Sequence, residues 1–150
     1  METTLVLVKP DGVQRGLIGS ILSRFEAKGL QVVGLKLVRP AVELLEKHYA
    51  VHKERPFFGS LLKFMSSGPV VAIALRGEGA VAVIRNLMGE TNGAESPPGT
   101  IRGDFGMSRS FNLVHGSDAL ETAEFELGLW FGDELLAYDL DRLAWVNEIE

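Results

Sequence analysis

The stretch Leu5-Val6-Leu7-Val8-Lys9-Pro10-Asp11-Gly12 decides how the chain is read. Four consecutive apolar residues closed by a turn cluster read as a strand buried on both faces, in the middle of a sheet. Lys9 then stands where the sheet ends. Taken alone, a lysine there is a snorkelling surface residue. Outward from this strand, residues 16–28 have a helical period. Leu17, Ile18, Ile21, Leu22 and Phe25 share one face, and Gly29 suits the left-handed position after a helix. Residues 30–38 then read as a strand, with Val33, Leu35 and Leu37 alternating against Gly34 and Lys36. The first part of the chain is thus strand, helix, strand.

The remainder repeats that order with additions. Pro40 opens a helical region in which Leu44, Leu45 and His48 share a face, and Arg55-Pro56 ends it. Phe57, Phe58, Leu61, Leu62 and Met65 make a short apolar helix. Its two adjacent phenylalanines cannot both point inward, so one is exposed or lies in a cleft. Residues 69–75 form a second continuous apolar strand. Residues 80–88 form a helix with Ala80, Ile84 and Leu87 inward and Arg85 near its end. Residues 90–105 have no period, and a structureless loop of that length is usually functional. Residues 111–114 read as a short buried strand, and Leu120, Ala123, Leu127, Trp130 and Phe131 as the apolar face of a last helix, bordered by Glu126. The tail, 133–150, keeps Leu135, Leu136, Tyr138, Leu140, Trp145 and Ile149, and so is expected to pack on something. Two strand–helix–strand halves predict an α/β chain of the α+β sandwich kind. The expected fold is ferredoxin-like βαββαβ, with a four-stranded antiparallel sheet, in one domain over residues 1–150. A doubly wound parallel sheet is the alternative, disfavoured by having only four strands.

Composition limits the function classes. With 150 residues and 46% hydrophobic content the chain can bury a single core. It has no cysteine, which removes disulfides, thiolate chemistry and cysteine zinc sites and fits a cytoplasmic setting. The net charge of -5 argues against nucleic acid as the main partner. Residues 1–9 lack the features of a signal peptide, and no apolar run approaches a membrane span.

The chemistry centres on Asn112-Leu113-Val114-His115-Gly116-Ser117-Asp118-Ala119. The reading is a strand that hands a histidine to a helix start, with Gly116 in a tight turn. Asp118 would cap the helix, with Glu121 completing a capping box. An imidazole beside unpaired backbone N–H groups suits an anionic group, and histidine is a nucleophile toward phosphorus. From spacing alone, a structural histidine is an equally good reading. His48 and His52, four apart, have no evident third ligand, so a metal site there is rejected.

Five motifs in order carry a resemblance: Lys9-Pro10-Asp11-Gly12-Val13, Arg55-Pro56-Phe57-Phe58, Gly89-Glu90-Thr91-Asn92, Gly99-Thr100-Ile101-Arg102-Gly103-Asp104-Phe105, and residues 112–119. With them, nearly the whole chain resembles nucleoside diphosphate kinases. The resemblance implies the ferredoxin-like fold and a ping-pong transfer of the γ-phosphate of a nucleoside triphosphate, mainly ATP, to a nucleoside diphosphate. The phosphate would rest on His115. Lys9, Arg85 and Arg102 match the cations around it, Thr91 adds a hydroxyl, and Tyr49 matches a tyrosine near the transferred phosphate. Glu126 matches the carboxylate that holds the histidine ring. Phe57 matches the residue that stacks on the base, Leu61 lies one turn on, and Asn112 with Lys9 matches the groups that hold the sugar hydroxyls. Stacking tolerates base identity, which implies broad specificity, for ribo- and deoxyribonucleotides alike. Mg2+ is implied on the nucleotide phosphates, with no direct protein ligand. A homohexamer is implied, with a homotetramer as alternative. Ala119 stands where serine is common, which puts a hydrogen bond near the Glu126–His115 pair in question. Residues 106–110 match no pattern, so no second base-packing residue is assigned there, although Arg109 could cover the base. The competing readings are an RNA-binding or regulatory ligand module on the same sheet, and a phosphohistidine phosphatase or carrier. The scarcity of strand aromatics and the acidic charge oppose the first. The Phe57 and Arg102 motifs oppose the second.

Overall fold

The computed structural model describes residues 1–148; Ile149, part of the apolar tail, lies outside them. Strand β1 (Glu2–Val8) leads into a short helix α1 (Pro10–Gln14), then α2 (Ile18–Lys28) and β2 (Gln31–Val38). Helices α3 (Val42–His48) and α4 (Phe58–Met65), with a 3-10 turn at Ala50–His52 between them, precede β3 (Val70–Gly77) and α5 (Ala80–Met88). A 3-10 turn at Gly93–Glu95 and helix α6 (Ile101–Phe105) lead to β4 (Val114–Gly116), α7 (Leu120–Trp130) and a 3-10 turn at Asp141–Trp145.

The sheet order is β2-β3-β1-β4, with every neighbouring pair antiparallel. This is the ferredoxin-like arrangement the element order predicts. The continuous apolar runs of β1 and β3 follow from burial on both faces. Val6, Val8, Ile73 and Leu75 pack under α2 and α5, while Leu5, Leu7, Ala72 and Ala74 pack under α3, α4 and α7. The helices inserted between β2 and β3 therefore cover a face that would otherwise be open.

Several local expectations are corrected. The turn cluster after β1 is a helix, because Pro10 occupies its first position, where a missing N–H costs nothing. Residues 90–105 are not structureless. Gly89 (φ 88°) turns the chain, Ser96 Oγ and Thr100 Oγ1 lie 2.8 Å apart, and Thr100 caps α6 by accepting from Gly103 N at 2.9 Å. The last strand starts at Val114 rather than Phe111, since Leu113 has φ 74° and Phe111 is exposed. Gly116 is the last strand residue rather than a turn, and a Cβ there would meet Met88 Sδ at 2.5 Å. Helix α7 begins at Leu120 with Ala119 as an unassisted N-cap, so the Asp118–Glu121 capping box does not form. On β2, Val33 is buried, but Leu35 and Leu37 are 53% and 65% exposed, because β2 is an edge strand and its end runs past the core.

Candidate active site

The sheet register places the histidine. His115 lies opposite Leu7 on β1, so its side chain shares the face that Leu7 buries under α3 and α7. From α7, Glu126 reaches it: His115 Nε2 and Glu126 Oε1 are 2.9 Å apart. Ser117 Oγ donates to the same oxygen at 2.6 Å. This is the hydrogen bond that Ala119 put in question, supplied two residues earlier; Ala119 itself is exposed. Burial pushes the Glu126 carboxyl pKa up, but the bond and charge of His115, with His48 and Ser117, outweigh it and hold the group below its ordinary value. The carboxylate is thus ionised and accepts from His115. Nδ1 is left as the free lone pair of the ring.

Three cations gather nearby. Burial and the Arg102 charge bring the Lys9 ammonium down to about 8, while Asp11 opposes the shift. Burial and the Arg85 charge bring Arg102 down to about 10. Each group therefore feels the next, although the chain is net acidic. That concentration of positive charge suits a polyphosphate. Lys9 Nζ donates to Asn112 Oδ1 at 2.8 Å, and Asn112 Nδ2 donates to Thr91 O at 3.0 Å. Arg102 is buried and gives one bond from each guanidinium nitrogen: to Asn112 O at 3.1 Å, Gly89 O at 3.2 Å and Val114 O at 2.8 Å. Two of its five donors remain. Arg85 Nη1 donates to Gly116 O at 3.1 Å.

A cleft of about 520 Å³ opens over His115, lined also by His48, Tyr49, Arg85, Phe125 and Glu126. Burial and the Glu126 charge push the Tyr49 phenol up, so it remains a donor. Lys9, Asn112, Thr91 and Arg102 do not line this cleft; they form a bonded group of their own, which reaches the His115 strand where Arg102 donates to Val114 O, the residue before His115. Phe57 and Leu61 also lie outside its lining. Phe57 is 49% exposed at the start of α4, its ring 5.3 Å from that of the cleft residue His52; Leu61 is half-buried against the core. The sequence reading missed Ser117, which carries no signal beyond its place beside His115. It also missed His48 and Trp130 as site residues. Their signal was a polar side chain, and an indole N–H, each on an inward helix face.

Metal-donor atoms of His48, His115 and Glu126 lie within 4.8 Å of one another, so His48 has a second imidazole and a carboxylate near it in space, and the second imidazole is His115 rather than His52. For Mg2+, a hard ion that takes oxygens, this cluster offers only a carboxylate that already accepts from two donors.

A family model described as nucleoside diphosphate kinase matches residues 2–136. A protein of Synechococcus elongatus called nucleoside diphosphate kinase is 60% identical over 149 residues, covering 99% of this chain and 100% of its own. One from Crocosphaera subtropica with the same name is 56% identical over the same coverage. Among solved structures, a halophilic nucleoside diphosphate kinase from Halobacterium salinarum in complex with CDP has a TM-score of 0.95. It is 50% identical and covers 98% of this chain and 99% of its own.

Proposed function

This chain belongs to the nucleoside diphosphate kinase family, whose activity is γ-phosphate transfer from a nucleoside triphosphate to a nucleoside diphosphate, and from that premise we propose that His115 carries the phosphoryl group. The observation that carries the assignment is the 2.9 Å contact between His115 Nε2 and Glu126 Oε1, which fixes the ring proton on Nε2. In the first half-reaction Nδ1 attacks the γ-phosphorus, the bond to the β,γ-bridging oxygen breaks, and the nucleoside diphosphate leaves. In the second, a β-phosphate oxygen of another nucleoside diphosphate attacks the phosphohistidine, and Nδ1 recovers its lone pair. The ring gains positive charge as it is phosphorylated, and the Glu126 carboxylate stabilises that charge without taking the proton.

Phosphoryl transfer asks mainly for positioning and charge stabilisation. Lys9, Arg85 and Arg102 supply the charge, and the Thr91 hydroxyl and the protonated Tyr49 phenol donate to phosphate oxygens. Lys9 and Asn112, already paired at 2.8 Å, hold the sugar hydroxyls between them. Phe57 offers an exposed ring for stacking on the base, extended by Leu61. Mg2+ would come in on the nucleotide phosphates and supply charge neutralisation there; two imidazoles beside a single carboxylate are a poor seat for a hard, oxygen-seeking ion, which supports a nucleotide-borne one. The described residues contain no helix long and apolar enough to cross a membrane, and the cysteine-free composition suits the cytoplasm. The exposed apolar residues of β2 and the tail support self-association, which we read as a homohexamer, with a homotetramer as the alternative.

The test is incubation with γ-labelled ATP. The protein is expected to take up acid-labile, base-stable label, and His115→Ala to take up none while remaining folded. Normal ATP-to-GDP transfer by that variant overturns the assignment.

A further inference from the structure

His48 on α3 is buried in the site, yet no step above uses it. Its ring meets that of His115 edge-on at 4.7 Å and that of Trp130 at 5.7 Å. Trp130 Nε1 lies 3.0 Å from His48 Nδ1. An indole nitrogen only donates, so His48 Nδ1 must accept. A charged imidazole has no acceptor. The Trp130 bond therefore holds His48 neutral, with its one proton on Nε2. That Nε2 has no hydrogen-bond partner among the described residues, and the polar atom it faces is Glu126 Oε2, 3.6 Å away.

The two carboxylate oxygens of Glu126 are thus divided. Oε1 serves His115 and Ser117. Oε2 faces His48. We propose that His48, fixed in tautomer by Trp130, is a positioning residue that steadies Oε2 of Glu126 and so keeps Oε1 on the His115 ring. The proposal rests on the reading of His115 as nucleophile. Contacts of this kind often run long before substrate binds, and a small rotation of the carboxylate brings the N–H within bonding distance. Neutrality is part of the role, since a cation at His48 would oppose the charge that develops on His115 during attack. Burial keeps the ring uncharged to about pH 4, helped by His115 and Lys9 and opposed by Glu126. The same bond argues against a metal held by His48, His115 and Glu126. A metal on His48 Nε2 needs the proton on Nδ1, where it would face the indole N–H.

His48→Phe keeps a ring of similar size and removes both nitrogens. In single-turnover phosphorylation by magnesium ATP its rate is expected to fall about ten- to a hundredfold, the worth of one hydrogen bond to a charged group, with the nucleotide dissociation constant unchanged. His48→Gln, whose amide offers a donor near the Nε2 position, should recover most of the loss. A readout independent of variants is the ring nitrogen spectrum of 15N-histidine-labelled protein, which has three histidines to resolve. His48 is expected as the neutral Nε2–H form, and as a mixture of tautomers in Trp130→Phe. A wild-type rate in His48→Phe, equal losses of rate and affinity, or an Nδ1–H form in the native protein overturns the proposal. None of these outcomes touches the reading of His115, which fails only if His115→Ala still takes label.

Discussion

Lys9, at the end of β1, gives the proposed nucleotide site a pH dependence. In the free protein its ammonium is brought down to about 8, by burial first and then by Arg102. A bound polyphosphate favours the charged form and raises that value. Above pH 8 binding must therefore take up a proton. Nucleotide affinity is expected to fall as pH rises through about 8, and titration calorimetry in buffers of different ionisation enthalpy should detect the uptake. In Lys9→Arg, whose guanidinium stays charged, the fall should vanish. Glu126 carries a prediction of another kind. Its carboxylate touches the ring rather than the nucleotide, so Glu126→Gln should slow phosphorylation while leaving nucleotide dissociation unchanged. An equal rate would reassign Glu126 to a purely structural role.

Among the elements, β4 and α7 form the unit that sets His115, the proposed nucleophile. Three strand residues pair with β1, and Ser117 N continues the attachment by donating to Leu5 O at 3.1 Å. The chain then turns at Ala119 into α7, which returns Glu126 to His115. The start of that helix is under-capped: Ala119 has the extended backbone of an N-cap (φ -154°, ψ 164°) but no side-chain oxygen for the free N–H groups behind it. Ala119→Ser is expected to stabilise the protein by about 0.5–2 kcal/mol without changing the phosphorylation rate, since Ser117 already supplies the bond to Glu126. Chemical denaturation with unchanged slope is the measurement. Upstream of the site, Leu113 is the one described non-glycine residue with positive φ, and both its backbone groups are held: Lys9 N donates to Leu113 O at 2.8 Å, and Leu113 N donates to Asp11 Oδ2 at 3.1 Å. Strain of this sort persists where the surroundings over-determine it, and here it lies between Asn112 and His115.

At the scale of the molecule, the tail is part of the fold. Leu136 N donates to Val33 O at 2.9 Å, Gln31 Nε2 donates to Tyr138 O at 2.8 Å, the Tyr138 hydroxyl donates to Val32 O, and Val146 closes over Gly29. The tail therefore runs along the free edge of β2, which blunts an otherwise open strand. On β2 and the tail Leu35, Leu37, Leu136 and Trp145 remain exposed, Trp145 at 92%. Truncation after Ala137 is expected to cost about 1.5–3 kcal/mol, through lost apolar burial and the orphaned Gln31 amide, and to weaken assembly. Thermal unfolding and light scattering test both parts; full-length protein should scatter as a hexamer, and a monomer or stable tetramer counts against that expectation.

The sequence by itself determined the order of the four strands and of the longer helices, because their apolar runs and helical periods are local. The doubly buried β1 and β3 were legible at Leu5-Val6-Leu7-Val8 and at residues 69–75 for that reason, as were Gly29 at the end of α2 and the split βαββαβ topology. His115 and Glu126 were legible through motifs, since eleven residues of spacing do not reveal a bond of 2.9 Å. Only the tertiary structure decided where β4 begins, because the positive φ of Leu113 is held by Lys9 and Asp11, about a hundred residues away. It alone decided that Ser117 completes the Glu126 pair and that Leu35 and Leu37 leave the core. It alone decided that Trp130 and His48, 82 residues apart, share a hydrogen bond. A side chain's partners depend on which faces the sheet brings together, and no local pattern encodes that.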